Sequence, residues 1–211
     1  MRILIVCDDP STAEKGSVIA VDSIIGALKD KGHEVAAVCR GEGDDAREKE
    51  GFIRISAGGI MTAGRSVGND EAIKRTVERS LELLVWDSDI VHITRFTPLG
   101  RAALSYALKH NIPVTAGFRA GITESPSRKL AGNVWLANRS LYRMMYNSFY
   151  RYADAVLYPT QTCRRLLESS ARRTTNGFVL TEQTAPDSPV KGVFGGAENA
   201  DIIEDMLYSV R

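Results

Sequence analysis

Two groups of residues in this sequence have the types and spacing to do chemistry. The first follows the apolar run RILIVC (Arg2 to Cys7), where Gly16-Ser17 stands directly ahead of a helical pattern. Bare amides at a helix N-terminus, together with the helix dipole, favour a bound phosphate. The plain alternative is a turn with Ser17 as N-cap. This loop has neither GxGxxG nor GxxxxGK[ST], so no dinucleotide turn of the usual form and no Walker loop is encoded. The second group is basic. From Arg119 to Arg173 there are ten Arg and Lys against three acids (Glu124, Asp154, Glu168), a local charge of +7 in a chain whose total is +1, which leaves −6 for the rest. Such asymmetry suits an anionic partner on one face, whether sugar nucleotide, lipid headgroup or nucleic acid, or else a simply solvated surface.

Histidines and cysteines offer less. His33 lies at a strand entry, His110 near a helix C-terminus, and His92 inside the strand-like DIVHI, where a hydrogen-bonded core histidine is expected. No two histidines share metal-ligand spacing, so no metal is expected. Cys7, Cys39 and Cys163 are odd in number, distant in sequence and never in a CxxC pair, which argues for reduced thiols rather than a disulfide scaffold or a zinc site.

These residues need elements to position them, and the apolar pattern supplies a regular set. Strands are expected at Arg2 to Cys7, Glu34 to Cys39, Phe52 to Ile55, Asp89 to Ile93, Ile112 to Ala116 and Asp154 to Tyr158. Between them run helices: one after Ser17 that carries Val18, Val21, Ile24, Ile25 and Leu28 and is stopped by Gly32, then Asp70 to Trp86, Pro98 to His110, Trp135 to Tyr152 and Thr160 to Ser169. This alternation predicts a single α/β domain, a doubly wound parallel sheet of Rossmann-like type. Regularity fails after Phe178. The predicted organisation is a domain over 1–178, a Pro/Gly-rich linker over 179–197 and a final helix over 198–211 that docks on the domain.

With 211 residues, 44% of them hydrophobic, the chain is of ordinary globular composition and neither disordered nor collagenous. No apolar run reaches the ~20 residues of a membrane span. A strand-like run directly after Met1-Arg2 leaves no room for a signal peptide, so a cytoplasmic protein is expected. The predicted helix Trp135 to Tyr152 puts Trp135, Tyr142, Met145, Tyr146, Phe149 and Tyr152 on one arc and Arg139, Arg143 and Arg151 on the other. A basic amphipathic helix of this kind can lie on an anionic membrane surface; more commonly it covers a sheet and solvates its basic face.

RILIVCDDPS resembles the first strand of receiver domains, but their phosphorylatable Asp and their Lys have no counterparts, since Phe52 to Ile55 ends in Ser56 and Ile112 to Ala116 runs into Gly117-Phe118-Arg119. A second resemblance covers Met1 to about Phe178. MRILIVCD with KGSVIAVDSIIGALKDKGHEVAAVC, then DSDIVHITRFTPLGRAALSYALKHNIPVTAGFR, then YADAVLYPTQTCRRLLES and Asn176-Gly177-Phe178, is similar in order and spacing to the N-terminal domain of family 4 glycosyltransferases, one half of the two-domain GT-B architecture. The resemblance implies a retaining transferase that moves a sugar from a nucleotide donor to an acceptor hydroxyl, with the donor as substrate and no cofactor or metal. It implies Gly16 and Ser17 near the donor phosphates and Thr94, Arg95 and Phe96 on the acceptor side. Arg119, in GFRA, stands where many members have a catalytic His. A neutral imidazole can accept a hydrogen bond from a sugar hydroxyl, whereas a guanidinium only donates, though it can pair with phosphate.

A donor domain needs roughly 150 to 200 further residues and carries an E-x7-E element; Glu42 and Glu50 have that spacing only by chance, in an acidic loop. The expected partners are therefore a donor-binding domain or partner chain, a sugar or lipid-linked acceptor, and an anionic membrane met peripherally through Arg139, Arg143 and Arg151. No nucleic acid is expected. Alone, the chain is expected to be inactive; a non-catalytic binding or partner module is the alternative.

Overall fold

Short runs of aliphatic residues become strands buried on both faces, and the longer periodic segments become the helices that bury them. The computed structural model describes residues 1–7, 15–41, 52–56, 71–118, 133–180 and 197–210. In chain order these form β1 (Arg2–Cys7), α1 (Lys15–Asp30), β2 (Glu34–Gly41), β3 (Phe52–Ser56), α2 (Glu71–Trp86), β4 (Ile90–Ile93), α3 (Pro98–His110), β5 (Val114–Gly117) and α4 (Asn133–Ser148). A 3-10 turn (Tyr150–Tyr152), β6 (Ala155–Tyr158), α5 (Gln161–Ala171), β7 (Gly177–Val179) and α6 (Ala197–Ser209) follow. The strands pair in parallel throughout, in the order β3-β2-β1-β4-β5-β6-β7. This is the doubly wound, Rossmann-like α/β sheet.

Strand alternation sends side chains to two cores. Leu4, Val6, Val38, Val91, Ile93, Val114, Ala116 and Val156 meet Leu81 and Val85 of α2, Leu104 of α3, Tyr142 and Met145 of α4 and Leu167 of α5. Ile3, Ile5, Val35, Ala37, Ile90 and Leu157 meet Ile25 and Leu28 of α1 and Ile203, Met206 and Leu207 of α6. Around that apolar contact, α6 also holds the α1–β2 turn through polar groups. Lys31 bonds Asp201 and Glu204, and His33 Nε2 lies 3.1 Å from Glu204 Oε1. Hydrogen bonds to Asp201 and Glu204 push the Lys31 ammonium above its ordinary value, and Lys31, then His33, hold the Glu204 carboxyl below its own.

Several element ends shift by one or two residues from the sequence expectation, and four departures have larger consequences. Helix α1 begins at Lys15, so Gly16 and Ser17 lie within its first turn and Ser17 is not the N-cap. β5 begins at Val114 rather than Ile112. Asn111 takes the left-handed conformation (φ 55°) that ends α3, and the amide of Ile112 donates to Ala107 O at 2.9 Å, so this residue closes the helix instead of pairing in the sheet. The helix expected to reach Tyr152 ends at Ser148; Phe149 (φ −147°, ψ −66°) breaks it, and Tyr150–Tyr152 form a separate 3-10 turn. Lastly, Gly177–Val179 is a seventh strand, added at the edge beside β6. The segment 181–196 lies outside the described residues.

Candidate functional site at the carboxyl edge of the sheet

In this strand order the chain leaves β1 toward β2 by a helix on one face and leaves β4 toward β5 by a helix on the other. The crevice between the carboxyl ends of β1 and β4 is therefore the topological switch point, where open α/β sheets bind ligands. Thr94, Arg95 and Phe96 stand there, directly after β4. Thr94 ties the two strand ends together: its amide donates to Val6 O at 2.9 Å and its hydroxyl to the same oxygen at 3.1 Å. The hydroxyl oxygen keeps acceptor capacity for a ligand. Arg95 is exposed and Phe96 is half-buried. The Phe96 ring meets Phe149 edge-on at 5.4 Å, and Arg101 Cζ lies 6.0 Å from its centroid.

The PLG signature explains how this turn is held. Thr97, in extended conformation, caps α3 by accepting from the Gly100 amide at 3.1 Å, and Pro98 supplies a first-turn residue that needs no amide partner. Gly100 lets the helix start close against the turn, because a Cβ there would stand 2.6 Å from Ile93 Cγ2 and 2.7 Å from Arg95 O. Gly117 does the same from β5, where an added Cβ would stand 2.6 Å from Thr94 O. The two glycines thus let α3 and β5 approach the end of β4 closely, at Ile93, Thr94 and Arg95.

Beneath the turn lies an aromatic floor that the periodicity did not reveal. Phe118 is fully buried and packs on Tyr142, Tyr150 and Tyr158 at 5.4 to 5.9 Å between centroids. Tyr150 donates its hydroxyl to Gly117 O at 3.0 Å, and burial holds this phenol well above its ordinary value, so it stays protonated as a donor. The signal in the sequence was Gly117-Phe118, a glycine and an aromatic at a strand end, visible inside the GFR motif but carrying no period.

Gly16 and Ser17 sit in the first turn of α1, where amide groups have no intrahelical acceptor. Arg119 lies outside the described residues. Arg143 and Arg151 are exposed and Arg139 is half-buried, on α4 and the turn after it. Tyr142, Met145 and Phe149 of the same stretch are buried in the core, whereas Tyr152, expected on the same arc, is exposed in the 3-10 turn. His92 is buried on the α1 face, with Nδ1 2.9 Å from Thr115 Oγ1, and burial pushes it down to about 4, so it is a neutral core histidine. Among the described residues no three His, Cys, Asp or Glu gather as a metal site requires, and no helix is long and apolar enough to cross a membrane.

The chain is similar to the UDP-GlcNAc 2-epimerase of Methanocaldococcus jannaschii, with TM-score 0.51, 13% identity, 85% of this chain and 45% of that one covered. A second UDP-N-acetylglucosamine 2-epimerase matches with TM-score 0.52 and 18% identity, over 85% of this chain and 48% of that one. At such identity the likeness is one of fold, and this chain spans less than half the length of either structure. No curated protein matches the sequence. The family model for Glycosyltransferase Family 4 matches residues 15–174, most of the chain and all of the elements from α1 to α5. By that match over an N-terminal-type Rossmann-like sheet, the chain belongs to glycosyltransferase family 4.

Proposed function

We propose that this chain is the acceptor-side half of a retaining glycosyltransferase that transfers a sugar from a nucleotide donor to an acceptor hydroxyl. The observation that carries the reading is the family match from residue 15 to 174 on a sheet whose switch point is lined by Thr94, Arg95 and Phe96. In it, Thr94–Phe96 contact the acceptor, the first-turn amides at Gly16 and Ser17 lie near the donor phosphates, and Arg119 pairs with negative charge at the reacting centre. The donor is a substrate, and no cofactor or metal takes part. A second, nucleotide-binding half supplies the opposite wall, on this chain's own continuation or on a partner. Turnover depends on both walls, because the reacting atoms must be held in one geometry. The exposed Arg143 and Arg151 suit peripheral contact with an anionic membrane carrying a lipid-linked acceptor, on the cytoplasmic side.

Titration of UDP-GlcNAc and of a GDP-sugar into this chain tests the two-wall reading by calorimetry. Weak binding at millimolar concentration is expected, and micromolar affinity would overturn it. In a protein that joins both halves, Arg95→Ala should raise the acceptor KM roughly tenfold while leaving the donor KM unchanged, as the loss of one charged hydrogen bond implies.

A non-catalytic binding or partner module is the second reading, favoured by Arg119 in place of histidine. The variant Arg119→His in the joined protein separates the two. Activity lost on this change assigns Arg119 to the working site, and activity gained favours the module.

A further inference from the structure

The three cysteines are scattered in sequence, yet two of them are neighbours in the sheet. Cys7, the last residue of β1, is the register partner of Cys39 on β2. Partners in a parallel pair present their side chains to the same face. Here it is the α1 face, since Ile3, Ile5, Val35 and Ala37, the alternate residues of the same strands, belong to that core. The Cys7 thiol is turned toward the neighbouring strand: Sγ lies 3.5 Å from the carbonyl oxygen of Val38, the residue that precedes Cys39. Adjacent strands run about 4.8 Å apart, inside the roughly 4.4 to 6.8 Å between Cα atoms that a disulfide spans. Cys7 is 6% exposed and Cys39 is 0%. Cys163, on α5, belongs with the opposite core.

From this geometry we infer that Cys7 and Cys39 form a dithiol pair that a peroxide converts to a disulfide across β1 and β2. Cys7, the more accessible thiol, reduces the O–O bond of hydrogen peroxide and becomes a sulfenic acid with release of one water. The Cys39 sulfur then attacks the Cys7 sulfur, and the sulfenic oxygen leaves as a second water with the Cys39 proton. Two thiols lose two electrons and two protons, and the peroxide takes up both. The new bond ties β1 to β2 at the point where β1 leaves the sheet. Thiol exchange with a reductant reverses it. Formation of the bond does not depend on the transferase reading.

The test is mass spectrometry of the intact chain after exposure to hydrogen peroxide, alkylation, and digestion without reductant. A linked peptide joining Cys7 to Cys39, lighter by two hydrogens than its parts, is expected. The thiol content in denaturant should fall from three per chain to one, and dithiothreitol should restore it. In Cys39→Ser the linked peptide should vanish, and dimedone should trap Cys7 as its sulfenic acid. Independent oxidation of Cys7 and Cys39 to sulfinic acids would overturn the inference, as would pairing of either with Cys163 or with another chain, or full retention of both thiols. The wild-type experiment decides the matter by itself if the variant does not fold.

Discussion

At the scale of single residues, the candidate site is shaped by what is missing as much as by what is present. Gly100 and Gly117 admit no Cβ, because each would place one within 2.6 Å of an atom of β4 or of the turn after it. Gly100→Ala should therefore cost about 1–3 kcal/mol by urea denaturation, the range for overpacking a tight contact. Its effect should reach the Thr94–Phe96 turn, because Ile93 and Arg95 are what it strikes. His92 gives a prediction of a different kind. Its folded value of about 4 lies below the ordinary 6.5, so between these two pH values the unfolded chain binds a proton there that the folded chain refuses. The stability at stake is fully present above about pH 6.5 and is lost as pH falls toward 4, amounting to ~3 kcal/mol at 1.36 kcal/mol per pKa unit. His92→Asn, compared with wild type by urea midpoints from pH 7 to 4, should lack that loss; parallel pH curves for the two proteins would reject the assignment.

Among elements, α6 and β7 show which forces dominate. Helix α6 is held by fully buried Met206 and Leu207 and by the surface contacts of Lys31 with Asp201 and Glu204. Exposed ion pairs are weak and screened by salt, whereas a buried side chain leaves a cavity when it is cut back. Met206→Ala should destabilise the chain by roughly 2–5 kcal/mol and speed amide exchange along α6, while Lys31→Ala should leave stability near wild type. The edge strand β7 pairs with β6 and is braced from α5 by one carboxylate. Glu168 Oε1 accepts from the Thr175 amide and hydroxyl at 2.9 Å and from Arg164 Nε at 3.1 Å, and Arg164 Nη1 reaches Gly177 O. Burial would raise this carboxyl, but the bonds from Thr175 and Arg164 outweigh it and hold it below its usual value. Glu168→Ala strands those donors and should cost about 1–3 kcal/mol, with the β7 amides exchanging first.

Taken over the whole molecule, charge is strongly one-sided from residue 133 to 180. All seven cations there are arginines, set against two acids, Asp154 and Glu168, that accept from the amides of Val114 and Thr175. The proposed membrane contact is electrostatic, since Tyr142, Met145 and Phe149 are already buried against the sheet. Binding to anionic vesicles should be lost in high salt and in an Arg143→Glu, Arg151→Glu double variant. Equal retention on neutral vesicles would reject it.

The fold class and most element positions were legible in the residue order, because parallel strands and amphipathic helices write their burial into a local apolar period. Thr94–Phe96 were indicated by the family resemblance alone, and Phe118 was not indicated at all. Errors fell where a single contact, rather than a repeating pattern, sets a residue's role. Ile112 closes a helix, Phe149 breaks one to reach Phe96, and Gly177–Val179 gains strand status only by pairing with β6. Folding alone makes Cys7 and Cys39 register partners, brings Gly100 and Gly117 against one turn, and keeps His92 neutral. Periodicity is a property of adjacent residues, whereas register, close approach and desolvation exist only once separate segments have been brought together.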